Sequence, residues 1–392
     1  MPYSKNTLFS EFKDTTKSEW LARIEKDLKG RPISALMWQL PNPVMGSDNI
    51  MIDPFAHIED LKGQIPVPIT GEKADNSWAI EEYIKVENDD FNTANKQALQ
   101  ALMGGINAPH FIFETYPTAG QLASLLAGIE LEYIAIYFSE QTKNKNPSKH
   151  LQNFTQLAVE KGVKNVKLLR GGISYDPFAD GRHEVKAASE LLLWTKEHLP
   201  LFKVITIDGG RFFQGSENVV AELAQTLKAG ENYLRRLTVI GLESSLIADS
   251  MQFNFHMGLH YFIEIAKIRA FKVLWHNVLA AYNTPSVSDN IHAIIAHDTQ
   301  GEDSHTNKIR ATTQAMSAVL GGVSALTIAP SNAKSGENED FNRRIARNIQ
   351  HLLQMESYFD RVIDPAAGSY YIEQLTTKIA EAAWTYFQEM DN

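Results

Sequence analysis

From Trp78 to about residue 329, short apolar runs alternate with longer stretches whose apolar residues recur every three or four positions. The short runs are 78–86 (WAIEEYIKV), 110–113 (HFIF), 131–138 (LEYIAIYF), 166–169 (VKLL), 202–207 (FKVITI), 251–256 (MQFNFH), 291–297 (IHAIIAH) and 325–329 (ALTIA). Their length and β-branched and aromatic content predict strands. The stretches between predict helices over about 93–106, 117–128, 147–163, 182–198, 216–238, 258–281 and 306–320. Strand–helix alternation implies parallel strands joined by crossover helices. Eight units predict a closed (β/α)8 barrel of the α/β class, with an open doubly wound sheet as the alternative.

The flanks follow other rules. Residues 20–28 (WLARIEKDL) place Trp20, Leu21, Ile24 and Leu28 at helical spacing, and Gly30 and Pro32 stop that helix. Pro41, Pro43, Pro54, Pro66 and Pro68 then forbid a long helix or a central strand. The expectation is an extended arm lying on this chain's own barrel or on a partner. Past the last strand, Phe341, Ile345, Ile349 and Leu352 predict a helix, and a final helix is expected from about residue 373 to 388. The predicted organisation is 1–77 as N-terminal helix and arm, 78–335 as barrel, and 336–392 as closing helices. Within 258–281, Tyr261, Ile265, Ile268, Phe271, Trp275 and Val278 form a wide apolar stripe expected to pack on the sheet and, this wide, on another subunit as well.

Composition narrows the class. The 392 residues carry 37 Lys+Arg against 47 Asp+Glu, a net charge of -10, which argues against a nucleic-acid partner. There are no cysteines, so thiolate metal sites, disulfides and Cys nucleophiles are excluded. The N-terminus has no apolar run and no stretch reaches bilayer length, so the reading is a cytoplasmic protein without membrane partners.

Motif chemistry is sparse. The pairs Gly104-Gly105, Gly171-Gly172, Gly209-Gly210 and Gly321-Gly322 form no nucleotide-binding fingerprint. The pairs at 171 and 209 are expected just after strands, either approaching a ligand or making a tight turn. Arg170 and Arg211 are expected to end strands four and five, where an arginine holds a carboxylate or phosphate or pairs with a rim acid such as Asp208. His256 and His297 fall near strand ends, and His297 with Asp298, Glu302, Asp303 and His305 reads as a metal cluster or a solvated acidic loop. No zincin spacing and no nucleophile elbow is present, so no metal ligand set is assigned.

Four strings in the C-terminal third change this picture: FIEIAKIRAFKVLW (262–275), ATTQAMSAVLGGVSAL (311–326), RRIARNIQHLLQMES (343–357) and RVIDPAAGSYYIEQLT (361–376). In residue identity, spacing and order they resemble the adenosylcobalamin-dependent methylmalonyl-CoA mutase family, and EWLARIEKDLKGRPISALMWQ (19–39) resembles that family's N-terminal arm. The resemblance implies a (β/α)8 barrel with acyl-CoA threading the axis, and a separate C-terminal domain bringing cobalamin to the mouth.

The departures fall on the reactive positions. Where the family's catalytic chains carry R-Q-Y-A-G-F, this chain has Glu81-Glu82-Tyr83-Ile84-Lys85-Val86. Where they carry G-Y-H-M-Q-E, it has Gly209-Gly210-Arg211-Phe212-Phe213-Gln214, so Arg211 stands in place of the histidine that contacts the thioester. T-H-S-Q-T-S-G-W becomes Ala296-His297-Asp298-Thr299-Gln300-Gly301, keeping only His297 and Gln300, and the strand-eight histidine is replaced near Thr327. Glu81 and Glu82 are expected to repel a CoA phosphate chain, and Tyr133, Ile134, Ile136 and Phe138 to fill the bore.

The resemblance therefore implies a small, non-catalytic subunit of a heterodimeric mutase. Glu81, Glu82 and Arg211 are its degenerate catalytic positions, and any substrate contact falls to Arg211, Arg269, His297 and Gln300. Arg269 is alternatively a helix-surface ion pair, and Arg344 and Arg347 are expected to form a network with Asp364. No D-x-H-x-x-G string is present, so this stretch is not expected to bind cobalamin in the family manner; adenosylcobalamin would come with the partner. The partner expected is a large catalytic subunit, or a second copy in isolation. The alternative is an acyl-CoA-binding barrel of a split mutase whose cobalamin domain sits on another chain; a third reading places an unrelated ligand at the strand ends near Arg170, Arg211 and Asp298.

Overall fold

The computed structural model describes residues 13–61, 69, 73–141, 147–178, 184–285, 289–332 and 339–390. The barrel strands are β3 (Ala79–Lys85), β4 (Ala108–Phe113), β5 (Ala135–Glu140), β6 (Arg170–Ser174), β7 (Phe202–Lys203), β8 (Ile205–Asp208), β9 (Met251–His256), β10 (Ile291–Ile295) and β11 (Ala325–Ile328), all paired in parallel. Only Val204 separates β7 from β8. β7 pairs with β6 and β8 with β9, so these two pieces act as one stepped fifth strand and close the cylinder. The result is a (β/α)8 barrel.

Helices α2 (Phe91–Met103), α3 (Ala119–Leu125), α4 (Pro147–Glu160), α5 (Val185–His198), α6 (Val219–Val239), α7 (Ser244–Asp249), α8 (Tyr261–Ala281) and α9 (Ser304–Gly321) surround it. The main core lies between strands and helices: Phe138 of β5 meets Phe154 of α4 edge-on at 5.4 Å, and Phe253 of β9 meets Phe271 of α8 at 4.7 Å. Burying each such ring stabilises the fold by about 1.5–3 kcal/mol. No described helix is long and apolar enough to cross a membrane.

Two strand positions differ from the sequence expectation. Residues 131–133 and 166–168 form single 3-10 turns, and the strands begin after them, at Ala135 and Arg170. Gly171 therefore lies inside β6 rather than after it. Its φ is +148°, and a Cβ there would collide with the carbonyl oxygen of Ile136 on β5, so the close pairing of these strands requires glycine. The shift also moves Arg170 to the start of its strand, at the barrel end opposite Arg211.

Outside the barrel, α10 (Glu339–Met355) packs on α9, and α11 (Tyr370–Glu389) follows it. α11 packs on α8 and α6, and with α9 and the sheet it buries residues 263–272 of α8; within the apolar stripe Phe271 and Trp275 face Phe253 of β9. The arm opens with α1 (Lys17–Asp27), capped reciprocally by Thr16 and Glu19, and continues into the antiparallel hairpin β1 (Trp38–Leu40) and β2 (Ile50–Ile52). The Lys378 ammonium on α11 donates to the Met51 carbonyl at 2.8 Å, so this part of the arm lies on the chain's own C-terminal helix.

Candidate functional site at the C-terminal mouth of the barrel

Alternation along β3 sends Glu81 and Tyr83 into the bore, and Glu82 and Ile84 outward. Glu81 is 3% exposed and is surrounded by donors. Its carboxylate accepts from His110 Nδ1 of β4 at 2.6 Å, His292 Nδ1 of β10 at 3.2 Å and Thr327 Oγ1 of β11 at 2.8 Å. Burial alone would raise its pKa, but the charge of His292 and the bonds from both imidazoles hold the carboxyl well below the usual range. Aromatic rings complete the layer: Tyr83 lies edge-on to His110 at 4.9 Å, and Tyr137 edge-on to His292 at 5.0 Å.

This layer divides the bore. Above it, at the C-terminal strand ends, a cavity of about 550 Å³ is lined by Tyr83, His110 and Thr327 on its floor and by Asp176, Asp208 and Arg211 among its wall residues. Below it a second cavity of about 450 Å³ opens at the N-terminal ends, reaching Tyr137, Arg170 and Lys203. The bore is therefore stoppered, by residues other than those expected. Ile136 and Phe138 point outward, with Phe138 against His150 and Phe154 of α4, and Tyr133 is 78% exposed. From β5 it is Tyr137 and Ser139 that face inward.

The remaining sequence candidates are dispersed. Arg211, in the turn after β8, reaches Asp176 at 3.6 Å on the cavity wall. Glu82 lies outside the barrel, where Arg347 and Arg343 of α10 approach it at 2.7 and 3.4 Å, so it adds no repulsion to the bore. Arg269 is buried rather than on a helix surface: its guanidinium spans both oxygens of Asp364 at 2.9 Å and also meets Glu373 at 2.9 Å. Asp364 is thus the partner of Arg269, while Arg347 serves Glu82 and Arg344 lies over the Phe341 ring. Gln300 donates to the Pro330 carbonyl at 2.9 Å, which pins the loop after β11. The backbone of His297 forms a 3-10 turn with Asp298 and Thr299, while its side chain lies outside the described residues.

Sequence reasoning passed over one cluster. Lys267 of α8 is fully buried and meets Glu264 at 2.7 Å, Glu222 of α6 at 3.3 Å and the His256 carbonyl at 2.7 Å. Burial pushes the Glu222 carboxyl up to about 8, against the pull of Lys267. The visible signal was the Glu264/Lys267 spacing of three on a helix that is otherwise apolar.

Taken together this is a parallel α/β barrel with an open mouth, a closed axis and a charged layer at the closure. The methylmalonyl-CoA mutase family profile matches residues 117–392. The chain belongs to the methylmalonyl-CoA mutase family. It is 32% identical, over its whole length and 65% of the relative, to the methylmalonyl-CoA mutase small subunit of Porphyromonas gingivalis. It is 26% identical to the small subunit of Streptomyces virginiae, over all of this chain and 66% of that one. It is 29% identical to the large subunit of Propionibacterium freudenreichii subsp. shermanii, over 69% of this chain and 38% of that one. The chain thus spans two thirds or less of the length of these relatives.

The family is cobalamin-dependent. Among the described residues no three His, Asp or Glu converge as a metal site. His256 at the rim faces Asp298 at 3.7 Å.

Proposed function

We propose that this chain is the non-catalytic small subunit of a heterodimeric methylmalonyl-CoA mutase, in which the large subunit interconverts methylmalonyl-CoA and succinyl-CoA. The observation that carries the reading is the stoppered bore. An acyl-CoA that threads a barrel needs a continuous axial channel, and here Glu81, His110, His292 and Tyr137 occupy it. Opening the channel would strand a buried carboxylate, at a cost of several kcal/mol. The thioester contact is altered as well: Arg211 adds a fixed charge and already faces Asp176. Two of the relatives matched along this whole chain bear the small-subunit name.

The arm supports a partner. Trp20, Leu21, Ile24 and Leu28 share one side and are half-buried, Trp20 against Phe55 at 5.8 Å, while Leu36, Met45 and Ile58 are 44%, 90% and 56% exposed. A large subunit covering these side chains would remove that apolar area from water; in its absence a second copy of the chain is the expected occupant. Adenosylcobalamin belongs to the partner in this reading.

Calorimetry of the isolated chain with methylmalonyl-CoA should show no binding. Adding the large subunit at about 100 times its Kd should stabilise the chain by about 2.7 kcal/mol, read as a rise in Tm. Micromolar thioester binding by the chain alone, or turnover once only a cobalamin-binding chain is supplied, would instead establish the barrel of a split mutase.

A further inference from the structure

The mouth cavity keeps polar groups that neither its floor nor its rim engages. Asp208 ends β8, and one carboxylate oxygen accepts from the Gly210 N–H at 3.1 Å. The other has no hydrogen-bond partner among the described residues. Thr206 lies two positions earlier on the same strand face, lines the cavity and is 6% exposed. Its hydroxyl likewise has no partner among the described residues. Asn254 of β9 sits opposite Asp208 in the sheet register and is 9% exposed. Its side-chain oxygen accepts from Gln252 at 2.8 Å, which leaves the amide nitrogen, a donor, without an acceptor among the described residues.

The charges around this group are mostly spoken for. Asp176 has Arg211 and the Tyr233 hydroxyl, and His256 faces Asp298. Among the described residues Asp208 is a wall carboxylate without an ion pair, and burial pushes its carboxyl above the ordinary range despite the neighbouring His256 and Arg211. A small anion placed here would meet Asp176 and Asp208 together. A small cation with a polar arm would give Asp208 its counter-charge and leave Thr206 and Asn254 to the arm.

We propose that the C-terminal mouth of the barrel is a binding site for a small protonated amine carrying a hydroxyl, with the ammonium on Asp208 and the hydroxyl between Thr206 and Asn254. The site is entered from the C-terminal face, and the Glu81 layer limits the ligand to one that fits about 550 Å³. The inference goes beyond the scaffold role and does not rest on it, since a subunit without chemistry of its own can still bind a small molecule.

The test is calorimetric titration of the full chain with ethanolamine and 2-amino-1,3-propanediol, against ethylene glycol and glycolate as neutral and anionic isosteres. The expected result is saturable binding of the amines and none of the isosteres. Asp208→Asn should weaken binding about tenfold or more, and Thr206→Val should weaken it by a smaller factor. Both variants are checked for folding by circular dichroism. No saturable binding of either amine, glycolate binding the tighter, or unchanged affinity in both variants would overturn the proposal. Thioester binding by the chain would bear on the scaffold role alone.

Discussion

The imidazole of His110 donates from Nδ1 to the Glu81 carboxylate at 2.6 Å, and this bond joins two neighbouring strands at the centre of the barrel. His292 reaches the same carboxylate from β10, on the other side of β11. With Thr327 of β11, one acidic side chain of β3 thus ties its own strand to three others through buried hydrogen bonds and also closes the axis. An unpaired buried carboxylate would be prohibitive, so the histidines and Thr327 are what make the closure possible.

Replacing Glu81 with alanine removes the acceptor from three donors. The expected loss is about 3–5 kcal/mol at neutral pH, measured by urea unfolding. The folded pKa of Glu81 lies below its unfolded value of 4.5, so its contribution is present above that pH and is lost as pH falls below it. The gap between wild type and E81A should therefore narrow on acidification. A gap that stayed constant would mean the carboxylate is not held by charge.

Glu222 has the opposite sign. Its pKa rises from 4.5 to about 8 in the fold, so the stability it contributes is complete below 4.5 and declines as pH rises through 8. Glu222→Gln should flatten the stability profile across that window while leaving the acid side little changed. Thermal unfolding at a series of pH values reads this directly, and parallel profiles for the two proteins would contradict it.

Arg269 joins α8 to the start of α11 through Asp364, Glu373 and Thr376. Arg269→Ala leaves two acidic groups without their cation and should cost about 3–5 kcal/mol. Arg269→Lys keeps the charge but loses the two-pronged contact, so it should recover only part of that loss. Denaturant midpoints of the two variants separate charge from geometry, and equal stability in both would show that the fork is dispensable.

Gly171→Ala drives a methyl group into the Ile136 carbonyl at a backbone φ that other residues rarely adopt. A destabilisation of at least about 1–3 kcal/mol is expected. Alanine at the neighbouring Gly162, which also has positive φ but open space around it, should cost less. Comparable losses at the two sites would rule out crowding as the cause at Gly171.

The order of strands and helices was legible along the chain because each element carries its own periodicity. The apolar alternation at 251–256 and the stripe from Ile265 to Val278 needed no neighbour to be recognised. The starts of β5 and β6 were not legible: LEYIAIYF and VKLL look like strands throughout, yet the position of each strand depends on its pairing with the neighbour, down to the Gly171 contact. The eight units predicted the barrel and the family strings agreed with it; that Glu81 and Arg211 stand at displaced reactive positions is what the resemblance implies.

What the amino-acid sequence determined alone was therefore local: element type, the absence of cysteine thiols, and the strings that carry the family resemblance. The tertiary structure decided which of these share a space. Glu81 and Glu82 are adjacent in the chain, but the two-residue pleat sends one into the bore and the other to Arg347. Arg170 and Arg211 were both assigned to strand ends, but they lie at opposite mouths. Whether the axis is open depends on side chains 29 and 211 positions from Glu81, and only closure of the cylinder brings His110 and His292 to it.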